Sequence, residues 1–411
     1  MIDMLVFLLQ AMFIVALPPL IAYQLRLMSM VPLVVVQILF GVVLGPSCFG
    51  RWAPAAYATI FSPASLVLLS HVSAIALLFF ALVTGMHLDF KTLRGDGRAL
   101  ALISGASMLV PSLLGFSVGM VIAAMYPQLL DPRHSAIQFA VAIGICCGVT
   151  ALPVLAAILR ELDLLDHRLG QFALTLAAAN DGALWIVLAV FLAGLQLDGS
   201  GASSNVVEIV SSLLYFGGML GVVRPWLARY AGRTQVSTDT MLIIACVVAI
   251  LSAAMTEWLG LHYLLGAFIA GTIIPTTWRS IVLERIQPLT VNILLPFFFI
   301  VTGLKVFIDA ASPGFLEITV LLTLFAVVGK IAGTALTARM TGESWRFSLG
   351  LGALAQAKGL MEIVVATILL DVKVISPTIF SAVLVMALIS TTLAMPMTRL
   401  TLARHGTRGL A

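Results

Sequence analysis

Gln171 to Leu195 read QFALTLAAANDGALWIVLAVFLAGL, an apolar run of 25 residues whose one ionisable group is Asp181. At about 1.5 Å per residue, a helix of that length crosses a hydrocarbon core of roughly 30 Å and puts Asp181 near the bilayer midplane. A charged carboxylate facing lipid there costs on the order of 3 kcal/mol or more, so Asp181 is expected to face protein or water. Its neighbours Ala177, Ala178, Ala179, Gly182 and Ala183 are small and let another backbone, water or an ion come close. Asn180 adds an uncharged polar partner. An acid in such surroundings reads as a proton or cation site; the alternative is an acid held neutral by a neighbouring helix.

The rest of the chain has the same character. Of 411 residues, 61% are hydrophobic and 10% charged, which predicts an all-α polytopic membrane protein. The apolar runs are too long, and alternate too little, for a membrane barrel. A net charge of +4, with no basic cluster interleaved with aromatics, argues against nucleic acid as a partner and leaves the lipid bilayer. The four cysteines (Cys48, Cys146, Cys147, Cys246) lack metal-ligand spacing, and the adjacent Cys146 and Cys147 read as small packing residues. The first apolar run, Met4 to Tyr23, lacks a basic n-region and a cleavage site, so a retained helix is expected. The chain stops soon after its last run, so no soluble regulatory domain is expected and 1–411 reads as one transmembrane unit.

Hydropathy predicts thirteen spans: 4–24, 31–46, 64–86, 99–125, 136–159, 171–195, 206–228, 239–257, 260–275, 289–304, 316–338, 347–370 and 375–400. With the N-terminus outside, the cytoplasmic side carries sixteen basic residues: Arg26, Lys91, Arg94, Arg98, Arg160, Arg168, Arg224, Arg229, Arg233, Arg279, Arg285, Arg339, Arg346, Arg399, Arg404 and Arg408. The outer side carries four, Arg51, Arg133, Lys305 and Lys373. That excess predicts an outside N-terminus and a cytoplasmic C-terminus, in a cell (inner) membrane. Lys330 and Lys358 fall within spans and become candidates.

Two spans read as interrupted. The fifth, AIGICCGVTALPVLAAIL, carries Gly148, Thr150 and Pro153 in mid-membrane. Pro153 removes a backbone donor, so carbonyls about a turn earlier lose a partner and can face a ligand. The twelfth, SLGLGALAQAKGLMEIVVATIL, has Gly350, Gly352 and Gly359 around Gln356, Lys358 and Glu362. Spans group as six, one and six, so each interruption is fifth in its half. Such placement predicts inverted repeats over 4–195 and 239–400 with a linker helix at 206–228, and points to a transporter site. Two kinks without function are the alternative.

Six polar residues in four groups therefore share membrane depth: Thr150, Asn180 with Asp181, Lys330, and Lys358 with Glu362. Lys330 follows Gly329 in a Gly329–Gly333 close-packing face and is expected to pair with Asn180 or Asp181. It either neutralises an empty site and gives way to a cation, or ties the two halves permanently. Lys358 and Glu362, four apart, can neutralise each other and stitch the broken span. Glu257, beside Trp258, reads as an interfacial acid. No nucleophile with a base and no phosphate loop is evident, so an enzyme is not expected, nor any cofactor beyond transported Na⁺ or K⁺ and H⁺.

A bare carboxylate in a dry core is costly, so Asp181 is expected to hold a proton or a desolvated monovalent cation in turn, helped by Thr150, Asn180 and backbone oxygens. Rocking of one bundle against another would expose the site to each side. One acid predicts one proton for one cation, an electroneutral exchange. A gated potassium efflux pathway without obligatory proton exchange is the alternative, and an organic-anion symporter a further one.

The same residues carry a resemblance. VPLVVVQILFGVVLGPSCFG (31–50), GVTALPVLAAILRELDLLDHRLGQFALTLAAANDGALWIVLAV (148–190), LGLHYLLGAFIAGTIIP (259–275), LLPFFFIVTGLKV (294–306), VVGKIAGTALTARMTG (327–342) and AQAKGLMEIVVATILLDVKVISPTIFSAVLVMALISTTLAMP (355–396) stand in order. Together they resemble the monovalent cation:proton antiporter superfamily, in its antiporter-2 branch of Kef-type and plant CHX-type proteins. The resemblance implies thirteen helices with crossed broken helices at the fifth and twelfth, and a homodimer. It implies Asp181 as carrier of proton and cation with Asn180 beside it, Thr150 at the crossover and Lys330 as basic partner. Electrogenic relatives carry two adjacent acids where this chain has Asn180–Asp181, which also favours electroneutral exchange. Some electroneutral relatives place an acid where this chain has Ala151, and others an arginine at Lys330. The nucleotide-sensing domain of Kef-type members has no counterpart in the sequence.

Overall fold

Long apolar runs become helices because a helix satisfies its backbone polar groups within one segment, where hydrocarbon offers no partner. A computed structural model describes residues 2–24, 33–87, 97–165, 167–199, 211, 214–233, 236–259, 262–306 and 314–403, and among these no strand occurs. The helices are α1 (Ile2–Gln24), α2 (Leu33–Leu44), the short α3 (Phe49–Trp52) and α4 (Pro54–Ile60), α5 (Pro63–His87), α6 (Gly97–Met125), α7 (Ala136–Gly148), α8 (Leu152–Glu161) and α9 (Arg168–Gly199). They continue as α10 (Arg224–Arg233), α11 (Thr238–Trp258), α12 (Tyr263–Ile273), α13 (Thr276–Leu289), α14 (Leu295–Lys305), α15 (Phe315–Met340), α16 (Trp345–Leu354), α17 (Leu360–Asp371) and α18 (Pro377–Ala403). Starts are set locally: the Ser135, Ser237 and Ser344 hydroxyls accept from the backbone at the heads of α7, α11 and α16.

Among the described residues nine helices are long and apolar enough to cross a membrane. Of the remaining expected spans, 136–159 and 347–370 are each two helices, and 260–275 is the 11-residue α12. Residues 206–210 and 212–213 of the expected linker helix lie outside the described residues, as do Arg26, Lys91, Arg94, Arg404 and Arg408. The span expected at 289–304 begins earlier. Thr276–Lys305 is one continuous helix, α13 running into α14 through a π-helical turn at Thr290–Leu294. Its first half carries Arg279, Glu284, Arg285 and Gln287, a polar stretch that hydropathy reads as loop although it is helical.

The chain forms two compact units, and each takes segments from both sequence halves. One comprises Met1–Ala11, Pro63–Asp89 and Trp185–Phe298. Here α5 and α12 meet backbone to backbone: a Cβ on Gly85 would lie 2.1 Å from the Phe268 carbonyl, and one on Gly271 2.2 Å from that of Leu82. Trp185 stacks on Phe268 with ring centroids 4.8 Å apart. Ser252 of α11 donates to the Gly266 carbonyl at 2.6 Å and meets the Tyr215 hydroxyl at 2.6 Å. The Arg279 guanidinium donates to the carbonyls of Met86, Thr272 and Ile274, so one cation serves the ends of α5 and α12.

The other unit comprises Met12–Ser62, Phe90–Leu184 and Phe299–Ala411, and holds every candidate residue. Gly329 and Gly333 of α15 face α6, where added Cβ atoms would lie 3.0 Å from Pro111 Cα and 2.7 Å from the Ala106 carbonyl. Gly115 and Gly119 of α6 do the same for Cys147 and Ala140 of α7. Cys146 and Cys147 are buried and free.

The close approach in the first unit has a consequence. Gly85→Ala or Gly271→Ala places a methyl against a carbonyl and is expected to cost about 1–3 kcal/mol of stability, read as a lower melting temperature in detergent. Gly105→Ala, where nothing lies within 4 Å, should melt like the parent.

Candidate functional site at the crossing of two broken helices

α7 stops at Gly148 and α8 starts at Leu152, with Val149 and Ala151 extended between them. Pro153 stands in the first turn of α8, where its missing N–H costs nothing, so it starts the second half and does not kink a continuous helix. α16 stops at Leu354 and α17 starts at Leu360, after Gly359 at φ +57°. That φ suits glycine, and a Cβ there would also lie 2.8 Å from Val154. The two links bond to each other: Ala151 N–H donates to the Ala357 carbonyl at 2.6 Å, and the Thr150 hydroxyl to that of Ala355 at 3.3 Å.

Four half-helix ends are thereby buried, and each kind needs its own charge. Lys330 Nζ donates to the Gly148 carbonyl at 2.6 Å. Lys358 Nζ donates to Cys147 at 2.7 Å and Cys146 at 3.3 Å. The last three carbonyls of α7 are thus held by two ammonium groups from α15 and from the second link. At the opposite pole, the Leu152 N–H at the head of α8 donates to the Asp181 carboxyl. Glu362 occupies the first turn of α17, and its Oε1 lies 3.5 Å from Lys358 Nζ. Thr150, Asn180, Asp181, Lys330, Lys358 and Glu362 are all buried.

Three expectations change here. Lys330 takes a backbone carbonyl as its hydrogen-bond partner, not Asn180 or Asp181, because the end of α7 lies within its reach. Asn180 Nδ2 donates instead to Ser107 Oγ of α6 at 3.1 Å. The carbonyls freed before Pro153 serve the lysines, so they do not face an open site. Lys358 and Glu362 do approach each other, though no continuous helix joins them, and the helix that Lys358 secures is the other broken one. Ser107 and Gln356, whose Nε2 donates to the Val327 carbonyl at 2.9 Å, complete the polar set. A serine in an apolar span usually bonds its own helix backbone, so nothing in the sequence singled out Ser107.

Asp181 stands apart from Thr150, Asn180 and the two lysines in one respect. Its Oδ1 is buried with no hydrogen-bond partner among the described residues. The helix that carries it is anchored at its start, where Arg168 makes a bidentate pair with Glu343 at 2.6 and 3.1 Å and lies over the Phe347 ring at 5.0 Å. Removing Lys358 strips two buried carbonyls and removing Lys330 strips one. Lys358→Met is therefore expected to melt below Lys330→Met by on the order of 1–3 kcal/mol, measured by thermal unfolding in detergent. Equal melting would contradict that assignment.

Comparison with known proteins bears on this geometry. The family model described as sodium/hydrogen exchanger, transmembrane, matches residues 11–404. The chain is 33% identical over 389 residues to Cation/H(+) antiporter 19 of Arabidopsis thaliana, covering 92% of this chain and 47% of that protein. It is 30% identical over 362 residues to the Na(+)/H(+) antiporter NhaS4 of Synechocystis sp., covering 87% of this chain and 88% of that one. It is 30% identical over 379 residues to K(+)/H(+) antiporter 1 of Saccharomyces cerevisiae, covering 90% and 43%. The chain thus spans less than half the length of the plant and yeast relatives. Its fold is that of the sodium proton antiporter MjNhaP1 from Methanocaldococcus jannaschii, with a TM-score of 0.64 at 13% identity over 98% of this chain and 97% of that one. The chain is an integral membrane protein and belongs to the sodium/hydrogen exchanger family of monovalent cation:proton antiporters.

Proposed function

We propose that this protein exchanges a monovalent cation, Na⁺ or K⁺, for protons across a cell membrane, with Asp181 binding each in turn. The observation that carries the reading is the unpartnered, buried Oδ1 of Asp181 beside the break between α7 and α8. A desolvated carboxylate oxygen without a donor is relieved by a proton or by a small cation, and the two exclude each other. Thr150, within the break, would contribute its hydroxyl oxygen to a cation there, and Asn180, fixed by Ser107, would hold the neighbouring position uncharged. Lys330 would keep the end of α7 in place through either half of the cycle. The names of the relatives support the ion class.

The charge count supports electroneutral exchange. Two lysines face two acids at the crossover, and either a proton or a monovalent cation on Asp181 adds the same single positive charge. The basic-residue count supports an outside N-terminus and a cytoplasmic C-terminus. A homodimer belongs to the same proposal, as do a single transmembrane unit and the absence of a resident cofactor.

Proteoliposomes with an imposed pH gradient test it. Na⁺ or K⁺ is expected to dissipate the gradient at a rate insensitive to a potassium/valinomycin clamp, and Asp181→Asn to abolish the cation-dependent part. Asn180→Asp adds a second carboxyl and is expected to make dissipation respond to voltage. Tracer K⁺ that still crosses through Asp181→Asn without proton movement would replace exchange by a conducting pathway.

A further inference from the structure

Glu362 is held less well than the other charged groups of the crossover. It is fully buried in the first turn of α17, and neither carboxyl oxygen accepts a hydrogen bond among the described residues. The nearest cation, Lys358 Nζ, stands 3.5 Å from Oε1, well beyond the roughly 2.8 Å of a charge-assisted bond. That ammonium commits two of its three N–H donors to Cys147 at 2.7 Å and Cys146 at 3.3 Å, at a helix end bearing roughly half a negative charge. Lys358 therefore stays compensated whether Glu362 is charged or not. A desolvated carboxylate without a donor is expensive, whereas the neutral acid is not.

Among the described residues, no second cation lies close enough to Glu362 to bond it. Around it stand the Cys146 and Cys147 thiols of α7, Lys358 in the link before α17, and Lys330 of α15. Packed along α17, α18 carries one ionisable residue in its helix, Arg399, close to its far end.

We propose that Glu362 is a second exchangeable proton site, whose carboxyl takes up and releases a proton while Lys358 remains on the α7 carbonyls. With both acids ionised, the two lysines leave the crossover with no net charge; a proton on Glu362 leaves it with one positive charge. A cation approaching Asp181 then meets that extra charge in a medium of low dielectric and binds less well. Acid thus opposes cation loading through Glu362 as well as by direct competition at Asp181. This consequence rests on the exchange reading; the protonation itself does not.

Infrared difference spectra of the protein in lipid, stepped upward from about pH 6, where exposed carboxyls are already ionised, test it. In Asp181→Asn a protonated-carboxyl band is expected to persist and to vanish as the pH rises. It should be lost in Asp181→Asn with Glu362→Gln, and shifted in Asp181→Asn with Glu362→Asp. A spectrum of Asp181→Asn with no titrating carboxyl band overturns the proposal. So does a band unmoved by both substitutions at 362. If the Glu362 band titrates while proteoliposomes show no cation-dependent exchange, the proton site stands and the exchange reading falls.

Discussion

A helix that stops inside hydrocarbon leaves carbonyls or N–H groups where no water can reach them, and each unsatisfied group costs several kcal/mol. This chain stops two helices there, and the arrangement around Asp181 follows from that. The end of α7 draws in Lys330 and Lys358, the head of α8 takes Asp181, and the two links bond to each other through Ala151–Ala357 and Thr150–Ala355. Side chains that would be prohibitive alone in a membrane become the partners that make the breaks possible. In turn the breaks bring oxygen and nitrogen atoms to a depth that unbroken helices would keep sealed.

Close backbone approach makes those reaches short enough. A lysine on α15 bonds the end of α7 because α15 packs on α6 through Gly329 and Gly333, while α6 packs on α7 through Gly115 and Gly119. A methyl at any of these four positions would meet a neighbouring atom at about 3 Å or less. In a solvent as apolar as the side chains themselves, such packing and the polar contacts it admits are what join helices.

The functional consequence is an uneven distribution of hydrogen bonds. The lysines and Asn180 are committed to partners, whereas one oxygen of Asp181 and both of Glu362 accept no hydrogen bond among the described residues. The lysines of the crossover are thus anchored to the backbone while its acids keep free lone pairs. That asymmetry suits a core whose negative charges are met by something that arrives and leaves.

Much of this was legible in residues alone. Long apolar runs cannot be anything but membrane helices, Asp181 stood out because nothing else in its run ionises, and glycines and Pro153 marked both interruptions. Family membership was legible for the same reason, since the ordered stretches carry their small and polar residues in sequence. What the sequence could not decide was partnership. A lysine side chain reaches about 6 Å in any direction that packing allows, so hydropathy put Lys330 at the right depth without saying whether Asn180, Asp181 or a carbonyl would receive it. Nor could it tell that Lys358 secures a helix more than two hundred residues away in the chain, or that Ser107 holds Asn180. Depth in the membrane is a one-dimensional property that the chain spells out residue by residue. Which groups meet at that depth depends on how helices pack across the membrane plane, and only the tertiary structure decides it.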